Sequence, residues 1–159
     1  MNQATSVFSS VDISSLKFFV GVDIGSQTCS VCVLRADQSQ VIKPTDFANA
    51  VSGFRFLLSK LEQLEVSPCH ILIGLEATSR YGENLYHFLE RHGYQLCLLH
   101  PRQTHDFAQR RGLRAKTDKL DATTIARVLL SGDARAGYVP TDVIAASARF
   151  RALAYATVR

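Results

Sequence analysis

Four carboxylates stand at positions where a folded chain has little structural use for a charge. Asp23 ends a short apolar run that begins at Phe18, and Glu76 ends the most apolar run of the sequence. Asp118 and Asp121 are three residues apart, a spacing that places both on one side of a predicted helix. That side continues as an apolar stripe and is expected to face a sheet, where a charge is costly unless it is paired or binds a metal ion.

If folding brings the ends of these segments together, the four acids predict a divalent metal site. Two carboxylates about 4 Å apart repel by roughly 4 kcal/mol at an effective dielectric constant near 20, so such a group requires a cation. All-oxygen ligands suit Mg²⁺ or Mn²⁺ and not zinc. Such an ion polarises a phosphodiester and stabilises the charge that develops on the attacking and leaving oxygens.

Each acid also has a purely structural interpretation. Asp118 as an N-cap, with Asp121 in the first turn, would stabilise the start of a helix. Asp23 would lead into a turn, and Glu76 would pair with a neighbouring base such as Arg80. The joint placement of the four acids at two strand ends and a helix start favours the metal site.

The positive charge of the chain is concentrated beside the second acidic pair. Residues 1–100 carry seven Lys/Arg and nine Asp/Glu, whereas residues 101–159 carry eleven and five. Near a carboxylate–metal site, bases of this density would hold phosphates, although an ordinary solvated helix face explains them equally well. The candidate nucleic-acid-binding residues are Arg102, Arg110, Arg111, Arg114, Lys116 and Lys119.

The elements that must position these side chains are an alternation of strands and helices. With 159 residues, 47% of them hydrophobic, the chain is long enough for one domain with a buried core. Three short strands, the last carrying Pro44 and therefore expected at an edge or a bulge, precede a change to helical spacing. The predicted order is βββ-α-β-α-β-α-α, an α/β mixed sheet with helices on both faces and a ribonuclease-H-like layout.

Three further expectations concern the compartment and the cysteines. The sequence has no apolar run long enough for a membrane span and no basic leader, so we expect a cytoplasmic protein. Cys29 and Cys32 have CxxC spacing but lie in a predicted strand, where they point to opposite faces. We therefore expect buried thiols and no zinc site.

The sequence divides into three predicted parts. Residues 1–16 are rich in Ser, Thr, Asn and Gln and are interpreted as a flexible leader. Residues 17–132 contain the alternating elements and form the predicted catalytic domain. Residues 133–159 are interpreted as a loop followed by the start of a helical connector, because the Ala-rich segment reaches the last residue without a helix stop.

Several short blocks along this chain match a known family. They are Gly21-Val-Asp23, Phe47-Ala-Asn49 with Gly53, Leu75-Glu-Ala-Thr78 with Tyr81, Gly93, Pro101 and Phe107, and Lys116-Thr-Asp-Lys-Leu-Asp-Ala122. On these blocks the chain resembles the N-terminal domain of DEDD transposases, insertion-sequence recombinases related to the Piv invertase, whose fold is like that of the RuvC resolvase. Ser79 and His100 are small departures, since Gly and Asn are more common there.

The resemblance implies a function and a set of site residues. The family's acidic tetrad falls on Asp23, Glu76, Asp118 and Asp121, which would be catalytic and would bind Mg²⁺ or Mn²⁺. It implies metal-dependent cleavage and exchange of DNA strands, partner subunits and, in some members, a guide RNA. The family also has a C-terminal domain with a serine thought to act as the nucleophile. Because this sequence lacks that domain, complete recombination by it alone is not expected.

Two other functions are compatible with parts of the sequence. One is a truncated, non-catalytic remnant that binds DNA or RNA, or that only self-associates. The other is a fragment of a sugar-kinase or actin-like phosphotransferase, because Gly21-Val-Asp-Ile-Gly25 resembles a first phosphate loop. Those folds need a second Gly-rich phosphate loop, which the sequence does not contain.

Overall fold

The computed structural model describes residues 13–76, 80–110, 112 and 121–132. Within these ranges the chain forms a sheet with helices on both sides, and short 3₁₀ turns at Ile13–Ser15, Pro68–His70 and Arg80–Gly82 connect some of the elements. The strands and helices, in chain order, are β1 (Phe18–Ile24), β2 (Thr28–Arg35), β3 (Gln40–Ala48), α1 (Val51–Glu62), β4 (Ile71–Glu76), α2 (Glu83–Arg91), β5 (Gln95–Leu99), α3 (Pro101–Arg110) and α4 (Ala122–Ser131).

The sheet has the strand order β3-β2-β1-β4-β5. The first three strands form an antiparallel meander, while β4 and β5 run parallel to β1. Strand β3 lies at the edge of the sheet, where one side of the strand has no neighbour. This position accommodates Pro44, because the proline nitrogen has no hydrogen to donate to a neighbouring strand. The predicted α/β class with a mixed sheet is confirmed, and the arrangement is consistent with a ribonuclease-H-like fold.

Apolar side chains fill both faces of the sheet. On one face, alternate residues of β1 and β4 pack against Phe54, Leu57 and Leu61 of α1 and against Leu85 and Leu89 of α2. On the other face, the remaining residues pack against Phe107 of α3 and against Ile125, Val128 and Leu129 of α4. Because β4 lies inside the sheet and is covered on both sides, Ile71–Leu75 are all buried, as the continuous apolar run predicts.

The CxxC cysteines lie on opposite faces of β2, as its alternating pattern predicts. Cys29 belongs to the core beneath α1 and α2, whereas Cys32 packs with Ala122 and Ala126 of α4. Side chains three residues apart on a strand cannot reach across the sheet to a common ion.

Helix α2 begins after a glycine and ends shortly before another. A 3₁₀ turn occupies Arg80–Gly82, and α2 begins at Glu83 with Gly82 as its N-cap. The helix stops where Gly93 adopts a φ of 83°, a left-handed conformation that glycine adopts without steric cost.

Two predicted segments fall wholly or mainly outside the described residues. The leader is described only from residue 13, and the loop and connector at 133–159 are not described. Among the described helices, none combines the length and apolar character that crossing a membrane requires.

Candidate functional site

Asp23 and Glu76 lie at the carboxyl ends of the neighbouring strands β1 and β4, Asp23 as the second-last residue and Glu76 as the last. In the parallel pairing of β1 with β4, Gly21 stands opposite Gly74 and Val22 opposite Leu75, so Asp23 and Glu76 each follow the last residue of that pairing. Neighbouring strands lie about 4.8 Å apart, which places the two Cα atoms side by side at the carboxyl edge of the sheet. The predicted juxtaposition of these two acids is therefore present in the fold.

Both carboxylates project from the sheet face that α4 covers. Asp23 lies four residues after Phe19, and Glu76 lies four residues after Leu72. Phe19 and Leu72 both pack in the core with α4, and residues an even number apart on a strand share a face. Both acids are partly buried at this position. The pair consequently stands beside the helix that follows the basic segment.

Two glycines allow α4 to approach this part of the sheet closely. A Cβ at Gly21 would overlap the backbone oxygen of Ala122 and would lie 2.5 Å from the backbone nitrogen of Ala126. A Cβ at Gly74 would lie 2.8 Å from a methyl carbon of Leu129. Gly21, two residues before Asp23, therefore allows α4 to pack directly on β1. This use of the glycine does not favour the phosphate-loop interpretation of Gly21–Gly25.

Asp121 caps α4, which begins at Ala122, so the prediction that Asp121 lies within the helix is wrong. The backbone of Asp121 is extended, with φ −76° and ψ 166°, and its carboxylate accepts a hydrogen bond of 2.8 Å from the backbone N–H of Thr124. Aspartate is favoured at an N-cap because it satisfies a backbone donor that the helix leaves without a partner. Asp121 therefore lies before the first turn of α4 and not on one of its sides, and Asp118 lies outside the described residues.

The start of α4 is also attached to β2 through a buried thiol. Cys32 stands opposite Gly21 in the β1–β2 pairing and forms a hydrogen bond with Thr123. Burial raises the pKa of the Cys32 thiol, and the negative charge of Asp121 adds to that rise. The charge of Asp121 is therefore felt on β2, the strand that pairs with β1, and Asp23 lies on β1.

The predicted tetrad is only partly described. Asp23 and Glu76 come together at the sheet edge, Asp121 lies at the start of the covering helix, and Asp118 lies outside the described residues. Within residues 13–76, 80–110, 112 and 121–132, no three or more His, Cys, Asp or Glu side chains form a group that could hold a metal ion. The donor chemistry of the Asp23–Glu76 pair, two carboxylates on one face, fits Mg²⁺ or Mn²⁺.

Two of the six predicted nucleic-acid-binding bases are described, and both are exposed on α3. Leu99 of β5 pairs with Glu76, so α3 begins at the same sheet edge as the two acids. Arg102 lies in the first turn of α3, and Arg110 ends the helix roughly 12 Å further along its axis. The other four bases, which are Arg111, Arg114, Lys116 and Lys119, lie outside the described residues.

One residue beside the acids had no predicted role. Asn49 follows β3, and its side-chain amide donates hydrogen bonds to the carbonyl oxygens of Gly25 and Tyr81. These carbonyls belong to the segments that follow Asp23 and Glu76. A lone Asn after a strand usually indicates a turn, so nothing local in the sequence points to this bridge.

Comparison with known proteins gives concordant matches. The family model of the IS110-type DEDD transposases matches residues 20–154. The pilin gene-inverting proteins of Moraxella bovis and Moraxella lacunata are each 32% identical to this chain over 111 residues, which are 70% of the chain and 34% of each relative. The chain therefore spans about a third of the length of the curated relatives it matches.

Proposed function

The chain belongs to the IS110-type DEDD transposase family, and we propose that it is the metal-binding part of a recombinase that cleaves and exchanges DNA strands. In this proposal Asp23, Glu76 and Asp121 bind Mg²⁺ or Mn²⁺, and Asp118 joins them on the strength of the sequence pattern. The observation that carries the proposal is the placement of Asp23 and Glu76 on adjacent strand ends and on one face.

Each described residue has a distinct task in this mechanism. The ion, when bound, supplies Lewis-acid polarisation of a phosphodiester and stabilises charge on its oxygens. Asp23 and Glu76 supply carboxylate ligands from neighbouring strands of the rigid sheet. Asp121 adds negative charge at the α4 N-terminus, which is itself electropositive because of the helix dipole.

The exposed bases bind the DNA backbone in this proposal. Arg102 and Arg110 would contact phosphates, together with the four bases predicted in the segment that follows α3. Phosphate contacts fix the position of a duplex but do not read its sequence. Choice of target, partner subunits and any guide RNA therefore involve features beyond these contacts, including the two thirds of the relatives' length that this chain does not span.

Titration with Mn²⁺ tests the metal site. We expect the wild-type chain to bind Mn²⁺ and Asp23→Asn and Glu76→Gln to bind it at least about tenfold more weakly, because each loses an anionic ligand. Asp106→Asn is the matched control, since Asp106 is an exposed acid on α3. Equal Mn²⁺ affinities for wild type and Asp23→Asn would contradict the proposed metal site. DNA binding that is retained in that case would favour the non-catalytic, nucleic-acid-binding alternative.

A further inference from the structure

Asn49 forms a bridge between the two chain segments that follow the acidic strand ends. Its side-chain nitrogen donates to the carbonyl oxygen of Gly25 at 2.8 Å and to that of Tyr81 at 2.9 Å. Its backbone N–H donates to the carbonyl oxygen of Gln27 at 2.8 Å. All three N–H groups of this one residue are therefore used to join neighbouring segments.

The chemistry of the bridge requires an amide at this position. Both side-chain partners are carbonyl oxygens, which only accept hydrogen bonds, so the two donors of the Asn49 NH₂ group match them. Aspartate has the same shape but would direct a carboxylate oxygen at two carbonyl oxygens. Alanine would leave both carbonyls without this donor. The orientation of the amide is thus fixed by its surroundings.

The joined segments are the continuations of the strands that carry Asp23 and Glu76. Gly25 lies two residues after Asp23, at the turn into β2, and Tyr81 lies five residues after Glu76, in the turn before α2. Pairing in the sheet holds the two strands together as far as Val22 and Leu75. Beyond that point, Asn49 connects the turn that contains Gly25 to the turn that contains Tyr81.

The backbone of Asn49 is itself held firmly. It follows the last paired residue of β3, Ala48, which stands opposite Thr28 of β2. The start of α1 packs so closely on this strand end that a Cβ at Gly53 would overlap the backbone oxygen of Ala48. A residue fixed on both sides in this way can transmit a defined spacing to the segments it binds.

We propose that Asn49 is a positioning residue that sets the separation of the Asp23 and Glu76 carboxylates for metal binding. This inference rests on the proposed metal site. Residues that hold metal ligands in place typically change metal affinity about 10- to 100-fold when they are replaced. The bridge supplies that support from a third segment of the chain, through contacts with backbone carbonyls and not with the acids themselves.

Mn²⁺ titration of the 159-residue chain tests this role. We expect Asn49→Ala and Asn49→Asp to bind Mn²⁺ about tenfold more weakly than wild type, and Asn49→Ser, which keeps one donor, to fall between them and wild type. Asn84→Ala and Asn84→Asp are matched controls, because Asn84 is exposed on α2. Circular dichroism and thermal melting establish that each variant is folded at the titration temperature, so that a lowered affinity reports on the site.

The outcomes separate this inference from the proposed function. If Asp23→Asn weakens Mn²⁺ binding but folded Asn49→Ala does not, the positioning role is overturned and the metal site stands. If Asp23→Asn leaves the affinity unchanged, the metal site is overturned and the role of Asn49 with it. If Asn49→Ala, Asn49→Asp and Asn49→Ser all fail to fold, Asn49 is a structural residue and the positioning role is likewise overturned.

Discussion

Asp121 illustrates how one side chain can combine a structural and a chemical task. Its carboxylate caps α4 through Thr124, and the proposed function also makes it a metal ligand. A helix cap needs only a hydrogen-bond acceptor, whereas a hard cation prefers an anionic oxygen. Substitutions that keep one property and remove the other can therefore separate the two tasks.

We expect Asp121→Ala to lower the free energy of unfolding by about 1 kcal/mol, because the Thr124 N–H loses its acceptor. Asp121→Ser should retain most of that stability but bind Mn²⁺ more weakly, since its hydroxyl caps the helix without a charge. Urea denaturation and Mn²⁺ titration of the same samples measure the two effects. Equal stability of Asp121→Ala and wild type would contradict the capping role.

The buried thiol of Cys97 predicts a loss of stability at alkaline pH. Complete burial raises its pKa from 9.0 to about 12, so the folded state keeps the proton over a range in which the unfolded state releases it. The stabilising contribution is present below pH 9 and is lost as the pH rises toward 12. Between pH 8 and pH 10 we expect a loss of about 1 kcal/mol from this group, because the unfolded thiol releases its proton over that range and the folded one keeps it.

Replacement of Cys97 by Ala tests this assignment. Urea denaturation at pH 8 and pH 10 should show a smaller alkaline loss for Cys97→Ala than for wild type, even though the variant is less stable at both values because of its smaller side chain. Cys69→Ala is the control, since Cys69 is exposed. The same alkaline loss in Cys97→Ala and wild type would rule out Cys97 as the cause.

At the scale of elements, the contact of α4 with the sheet places Asp121 on the side of the sheet that carries Asp23 and Glu76. The helix backbone lies against Gly21, and its Leu129 side chain lies against Gly74 on the neighbouring strand. Backbone atoms of a helix cannot move aside individually, whereas a leucine side chain can change rotamer. The two glycines occupy the same register but differ in what they contact.

Gly21→Ala should therefore destabilise the fold more than Gly74→Ala. We expect a loss of about 3 kcal/mol for Gly21→Ala and about 1 kcal/mol for Gly74→Ala, within the range for overpacked cores. Urea denaturation of the two variants makes the comparison, and each is the other's control. A Gly74→Ala variant that is equally or less stable than Gly21→Ala would show that α4 does not rest on β1 as described.

At the scale of the whole molecule, the placement of the described exposed bases predicts how the proposed DNA binding depends on salt. Arg102 and Arg110 are exposed on α3, on the sheet face that carries Asp23 and Glu76. Each phosphate contact that is lost reduces the slope of log affinity against log salt by about 0.9. Arg55 lies on α1, which covers the opposite face, and Arg35 lies at the other end of β2.

Replacing both Arg102 and Arg110 by Gln should reduce that slope by about 2 and weaken binding at low salt. The pair Arg35→Gln and Arg55→Gln removes the same charge from elsewhere and should leave the slope almost unchanged. Fluorescence anisotropy with a labelled duplex at several salt concentrations measures both. Equal slopes for the two double variants would assign the affinity to net charge and not to this surface.

The sequence by itself determined the kind of element formed by the described strands and by α1. Alternation and apolar runs identify the strands, and helical spacing identifies α1, because these patterns depend on contacts within a few residues. The acidic ends of β1 and β4 are visible for the same reason, as is the opposed placement of Cys29 and Cys32.

Only the tertiary structure decided how these elements meet. The pairing of Gly21 with Gly74, the close approach of α4, and the bridge from Asn49 to Gly25 and Tyr81 join residues that are 24 or more positions apart. Local patterns carry no information about such contacts. The start of α4 shows the same limit, because Asp118 and Asp121 are both residue types that cap helices well, and only the structure shows that Asp121 caps α4.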